Sequence, residues 1–197
     1  HYRLPVGQLR VGDRMDAVLV DDPDRLNVLA TWVAGNRVAE DGKSLIEYRP
    51  ARLINRFNSA PVTANTLTNA LPRADPGDPS LRLRVIECRD GALDTTETRV
   101  TPRWDNDRPA PDPDNDVLMM AVVNRYRVTP PAVAFIRGFG LRDGAIAGSI
   151  AHDSHNVIAV GSSAQWVAEA LNRVIDMRGG IAAAGTAGTD QLPLPVA

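Results

Sequence analysis

Apolar residues in this chain fall mostly into short runs of strand length, and one stretch carries a helical period. Residues 16–20, 28–33 and 37–39 are expected strands. Gly35-Asn36 marks a hairpin turn between the last two, because both residue types tolerate positive φ. A second hairpin is expected from 81–88 and 95–101 about Arg89-Asp90-Gly91. Further strand-length runs cover 117–123, 132–136, 145–151, 157–160 and 181–184. In 163–177, by contrast, Ala164, Val167, Ala168, Leu171, Val174 and Ile175 recur at steps of three and four, which predicts an amphipathic helix. Ser162 or Ser163 can cap its start, and Gly179-Gly180 can take the left-handed conformation that ends it. Strands outnumber helices without a regular βαβ alternation, so the expected class is α+β.

The organisation expected from this pattern has three parts. Residues 1–48 form a small β segment too short to enclose a core, so it should complete a sheet supplied elsewhere. Residues 49–80 hold Pro50, Pro61, Pro72, Pro76 and Pro79 among Asn, Ser and Thr, a composition suited to a linker between domains. Residues 81–197 form a strand-rich α+β domain with one main helix. Within it, 104–116 is acidic and prolyl and is expected as an exposed loop. Its carboxylates invite a calcium reading, but the bend glycine and late Glu of such loops are absent from the stretch.

Composition narrows the partners. The 197 residues are 44% hydrophobic and 23% charged, ordinary for a globular protein. Lys plus Arg number 22 against 24 Asp plus Glu, and the net charge of -2 gives no reason to expect nucleic acid. Cys88 is the single cysteine and cannot form an internal disulfide, so a reducing cytoplasm is expected, with Cys88 as a small buried hydrophobe. No apolar run approaches the roughly 18 residues needed to cross a bilayer, so no membrane is expected. An opening at His1 and an ending at Leu192-Pro193-Leu194-Pro195-Val196-Ala197 fit an excised fragment.

The densest chemistry lies at His152-Asp153-Ser154-His155-Asn156, which holds two of the chain's 3 histidines. Imidazole beside carboxylate can shuttle protons near neutral pH, since the carboxylate fixes the ring tautomer and raises its basicity. Two imidazoles and a carboxylate also suit a divalent metal. Equally, Asp153 and Asn156 can cap a tight turn while the histidines pack nearby. All three readings stay open. A triad around Ser154 is disfavoured, because sequence neighbours seldom converge as nucleophile, base and orienter. The glycines at 138, 140, 144 and 148 do not form a phosphate-cradling motif and suit turns and close backbone approach.

The segment from Arg137-Gly138-Phe139-Gly140-Leu141-Arg142-Asp143-Gly144 through the HDSHN loop, Gly161, the helix, Gly179-Gly180 and the terminal Leu-Pro-Leu-Pro resembles the C-terminal domain of adenine deaminases. The pattern of Gly7, Gly12-Asp13, 15–21 and 32–38 looks like the closing segment of metal-dependent amidohydrolases, which implies a small β-sandwich beside a catalytic barrel. The resemblance implies hydrolysis of adenine to hypoxanthine and ammonia, with a divalent metal, manganese or iron, activating water. The His-x-His strand that would hold the metal in such a barrel is absent from these residues, so the main ligands are expected elsewhere and this piece alone is expected to be inactive. The resemblance then makes His152 and Asp153 the catalytic candidates, and Ser154, His155 and Asn156 substrate-binding or loop-orienting. Adenine and a homo-oligomer or the barrel are the implied partners. The alternative is a noncatalytic domain that packs against the barrel or oligomerises.

Overall fold

The computed structural model describes residues 8–49, 55–151 and 153–194. Of the residues singled out above, His1, Gly7, Pro50, His152, Pro195, Val196 and Ala197 lie outside the described residues. The chain divides into two compact units, His1–Arg52 and Leu53–Ala197.

The first unit is a four-stranded antiparallel sheet in the order β1 (Ala17–Val20), β2 (Val28–Val33), β3 (Asn36–Glu40), β4 (Lys43–Ser44). The β2–β3 turn falls on Ala34-Gly35, one residue earlier than expected, because Val33 pairs with Asn36. Both turn residues have positive φ, and Ala34 is held there by its N–H donating to Asp16 Oδ1 at 2.7 Å. Successive strand residues face opposite sides of a sheet. Val18 and Leu19 are 57% and 50% exposed, so neither face of β1 is covered by the described residues of its own unit. Ala30 is the unit's one buried apolar residue among those described.

The second unit is strand-rich α+β and open, without a closed barrel. Its main sheet has the order β14-β13-β11-β12-β9-β10-β5-β6. These strands are β5 (Leu83–Glu87), β6 (Thr96–Val100), β9 (Leu118–Val123), β10 (Ala132–Arg137), β11 (Ala145–Gly148), β12 (Val157–Gly161), β13 (Gly180–Gly185) and β14 (Gly188–Pro193). Neighbours pair antiparallel except β5 and β10, which run parallel. Helix α2 (Ala164–Met177) lies on one face, burying Val167, Ala170, Leu171 and Val174 against Met119, Ala121, Val157 and Ala159. Ser163 caps its start, its Oγ accepting from Trp166 N at 3.2 Å. Its end differs from the expectation: Arg178, not a glycine, is the left-handed residue. Arg178 N donates to Ile175 O and Gly179 N to Val174 O, the paired bonds of a Schellman close. Gly180 is required for another reason, since a Cβ there would run into the carbonyl oxygen of Leu192 on β14.

Two further expectations are corrected. The stretch 49–80, expected as a linker, contains helix α1 (Ala64–Asn69), which packs on α2. Val62, Leu67 and Leu71 belong to the main core, and their burial outweighs the prolines that flank the helix. The stretch 104–116 is not a bare loop. It carries most of the hairpin of β7 (Arg103–Asp105) and β8 (Arg108–Ala110), with Pro109 buried, and a short 3-10 turn, Pro113–Asn115. Asn106, at φ 54, supplies the positive φ of the turn.

The sheet's other face is only partly covered. Leu118, Ile136 and Val160 form a small second core with Ile86, Met120 and Leu141, and Cys88 packs half-buried against it. Toward β11 and β13 the same face is bare, with Ile146 and Ile181 exposed.

Candidate functional site

The segment from Ser149 to Asn156 joins β11 to β12 and sits at the edge of this bare apolar strip. Ser149 anchors its first end: fully buried, it donates its N–H to Gly180 O and accepts Gly180 N–H on Oγ, both at 3.0 Å. Ser154 N donates to Ala151 O at 3.0 Å, closing a turn, and His155 follows at φ 51. The half-buried His155 ring faces back into the loop, its Nδ1 3.3 Å from Ser149 O. Asn156, also half-buried, accepts from Arg125 N on Oδ1 at 3.4 Å. Asp153 and Ser154 are exposed. The loop thus separates its side chains, with 153–154 outward and 155–156 engaged in its own framework. His152 lies outside the described residues, so its side of the cluster carries no geometry.

A second loop, just after β9, braces the first. Tyr126 OH donates to Ser154 O at 3.0 Å, and Asn124 Oδ1 accepts from Tyr126 N and Arg127 N at 2.9 and 3.2 Å. The Arg125 guanidinium lies within cation–π range of two rings, 5.9 Å from the Phe57 centroid and 5.2 Å from that of Tyr126. None of Asn124, Arg125 and Tyr126 was singled out from the sequence. The available signal is slight: a polar Asn-Arg-Tyr-Arg run directly after an apolar strand, whose partners are remote in the chain.

The glycine-rich stretch before β11 turns out to be a backbone device. Asp116, itself left-handed at φ 54, accepts from Gly138 N at 2.7 Å and Gly140 N at 2.9 Å. A Cβ on Gly144 would run into Ala184 O, and one on Gly161 would run into Ala145 Cβ. Asp143 clips this stretch to the β13–β14 turn, accepting from Thr186 Oγ1 at 2.7 Å and Thr186 N at 3.0 Å. The Thr186 hydroxyl is the first cause holding the Asp143 carboxyl below its ordinary value of 3.8, its backbone N–H the second.

Among the described residues, no three His, Cys, Asp or Glu side chains gather closely enough to hold a metal ion. The described part of the HDSHN loop therefore does not form a metal site by itself, and no chemical step is assigned through one here. No helix among the described residues is long and apolar enough to cross a membrane.

Residues 92–197 match the adenine deaminase C-terminal domain family. The chain belongs to that family. The match takes in β6 to β14, helix α2 and the whole 149–156 loop, while β5 and α1, which complete the same sheet and core, precede it. Over its whole length the chain is 50% identical to an adenine deaminase of Salinibacter ruber and 40% identical to one of Methanosarcina acetivorans. It is 32% identical to one of Borreliella burgdorferi, again over its whole length. It covers 35%, 36% and 35% of those three proteins, so it spans about a third of the relatives it matches. In this chain's sequence, His152-Asp153 in the loop 149–156 is the one place where His and Asp are adjacent.

Proposed function

We propose that this chain is the C-terminal part of a cytoplasmic hydrolase that converts adenine and water to hypoxanthine and ammonia, and that its 152–156 loop borders the reaction centre. One observation carries the reading. The loop is fixed beside an uncovered apolar strip, formed by Phe139, Ile146, Ile150, Ile158 and Ile181, on a chain about a third as long as its relatives. A bare apolar patch rimmed by polar groups is the surface that further polypeptide covers. The open first-unit sheet supports the same shortfall. In this reading the divalent metal, manganese or iron, that activates water is held by ligands outside this chain. His152 and Asp153 orient water or purine and move protons, Ser154 meets the substrate side, and His155 and Asn156 hold the loop.

The test uses the full-length enzyme carrying His152→Ala, Asp153→Asn or His155→Ala, with ammonia release as the readout. Loss of an acid–base group lowers turnover by about 10²–10⁴-fold. Wild-type turnover in all three variants, with folding and metal content intact, removes the loop from the mechanism. The 197-residue chain alone is expected to release no ammonia from adenine.

A second reading has its own support: His155 and Asn156 direct their polar atoms at Ser149 and Arg125, inside the domain. The loop would then be a brace in a noncatalytic domain that packs on the rest of the protein or self-associates. That reading predicts lower melting temperatures for the loop variants with kcat unchanged.

A further inference from the structure

Arg125 is 7% exposed, yet its Nε and Nη1 are sealed from solvent without a hydrogen-bond partner. The Phe57 and Tyr126 rings lie within cation–π range of the guanidinium, but its N–H groups point outward in its own plane and need acceptors there. A buried cation lacking such acceptors is strongly disfavoured, and a carboxylate is the acceptor that matches a guanidinium in shape and charge. The surroundings reinforce the sign. Arg56 precedes Phe57, Arg127 follows Tyr126, and Arg178 Nη2 donates to Phe57 O at 3.5 Å. Among the described residues, none of Arg56, Arg125, Arg127 and Arg178 forms an ion pair.

We propose that Arg125 is a carboxylate-binding site that receives an acidic side chain from polypeptide outside this chain. The occupant is a protein carboxylate because the chain covers only about 35% of its relatives and the four unpaired arginines call for an acidic partner. Entry is on the side of Tyr126, which is 46% exposed, and a shift of that side chain opens the sealed in-plane nitrogens to the carboxylate. Tyr126 also holds Ser154 O, so the arriving carboxylate meets the brace of the 149–156 loop.

Acetate serves as the probe, replacing chloride at constant ionic strength while thermal unfolding of the 197-residue chain is followed. The wild type is expected to melt about 2–4 °C higher in acetate. Arg125→Met should show no rise, and Arg125→Lys, which keeps the charge without the planar fork, less than half of it. No rise in the wild type, or an equal rise in Arg125→Met, overturns the proposal. If Arg125→Met does not fold, the Nε–H resonance of Arg125, identified by its loss in Arg125→Lys, decides: it moves on acetate addition, and an unmoved signal overturns the site. The full-length enzyme distinguishes the source. There the acetate effect should vanish because a protein carboxylate is already seated, and an undiminished effect overturns that occupant in favour of a free oxyanion. None of these readouts depends on adenine turnover, so this proposal and the deaminase reading can fail separately.

Discussion

The hydroxyl of Tyr126 donates to the carbonyl oxygen of Ser154 across 3.0 Å, joining two loops that lie 28 residues apart in sequence. Because Asn156 also accepts from Arg125 N, the post-β9 loop grips the His/Asp loop at two points. A side chain three residues beyond a strand therefore sets the conformation of a loop that the sequence presents as self-contained.

Tyr126→Phe removes the grip at Ser154 and little else. The bond is solvent-exposed, so global stability should fall by no more than about 1 kcal/mol. Local opening should rise instead: amide hydrogen exchange at Ser154 and His155 should quicken while exchange in β11 and β12 stays unchanged. Unaltered exchange in the loop would show that Tyr126 does not brace it.

Leu67→Ala tests whether α1 is core or connection. Leu67 is 0% exposed and packs in the main cluster with Leu171, so truncation should cost about 2–5 kcal/mol in urea unfolding. A linker residue would cost almost nothing.

The sequence exposed some of this and hid the rest. The helix at 164–177 was legible because a 3.6-residue period and a serine cap are local signals, and strands β9, β10 and β12 were legible as apolar runs. Helix α1 was not: Ala-Asn-Thr-Leu-Thr-Asn has one large apolar residue, and its burial depends on α2 about a hundred residues later. Strand β14 was hidden because Gly-Thr-Asp-Gln-Leu-Pro is fully exposed and owes its strand form to pairing with β13. At the loop, residue types flagged Asp153, His155 and Asn156, but the Arg125 and Tyr126 braces come from another strand end, where no spacing rule reaches.

Two glycines of the 138–144 stretch should respond differently to alanine. Gly140, at φ 63 with nothing within 4 Å of a Cβ, incurs only the left-handed cost, about 1–2 kcal/mol. Gly144, at φ 83, adds a collision with Ala184 O, so Gly144→Ala should cost about 1–3 kcal/mol more. Melting temperatures of the pair decide it. Equal losses would mean that the β13 backbone can retreat.

Acid stability should depend on the Asp143–Thr186 clip. The folded Asp143 pKa lies below 3.8, so its contribution is complete above the unfolded value and disappears as pH falls through the folded one. Asp143→Asn should flatten the loss of stability below that value, and Thr186→Val should flatten it partly by removing the largest cause of the shift. Urea midpoints measured at descending pH give the comparison. Parallel curves for wild type and both variants would remove the clip from the acid response.

Val62 and Asn172 exchange two hydrogen bonds of 2.9 Å, Val62 N to Asn172 Oδ1 and Asn172 Nδ2 to Val62 O, so an amide side chain stands in for a neighbouring strand. This handclasp dictates where the gene can be cut. A recombinant product starting at residue 92, where the match to the C-terminal domain family begins, would discard β5, leave β10 with a raw edge and strip α2 of its small companion helix. Primers placed before Leu53 keep the ensemble whole, and a shorter clone should accumulate as insoluble material.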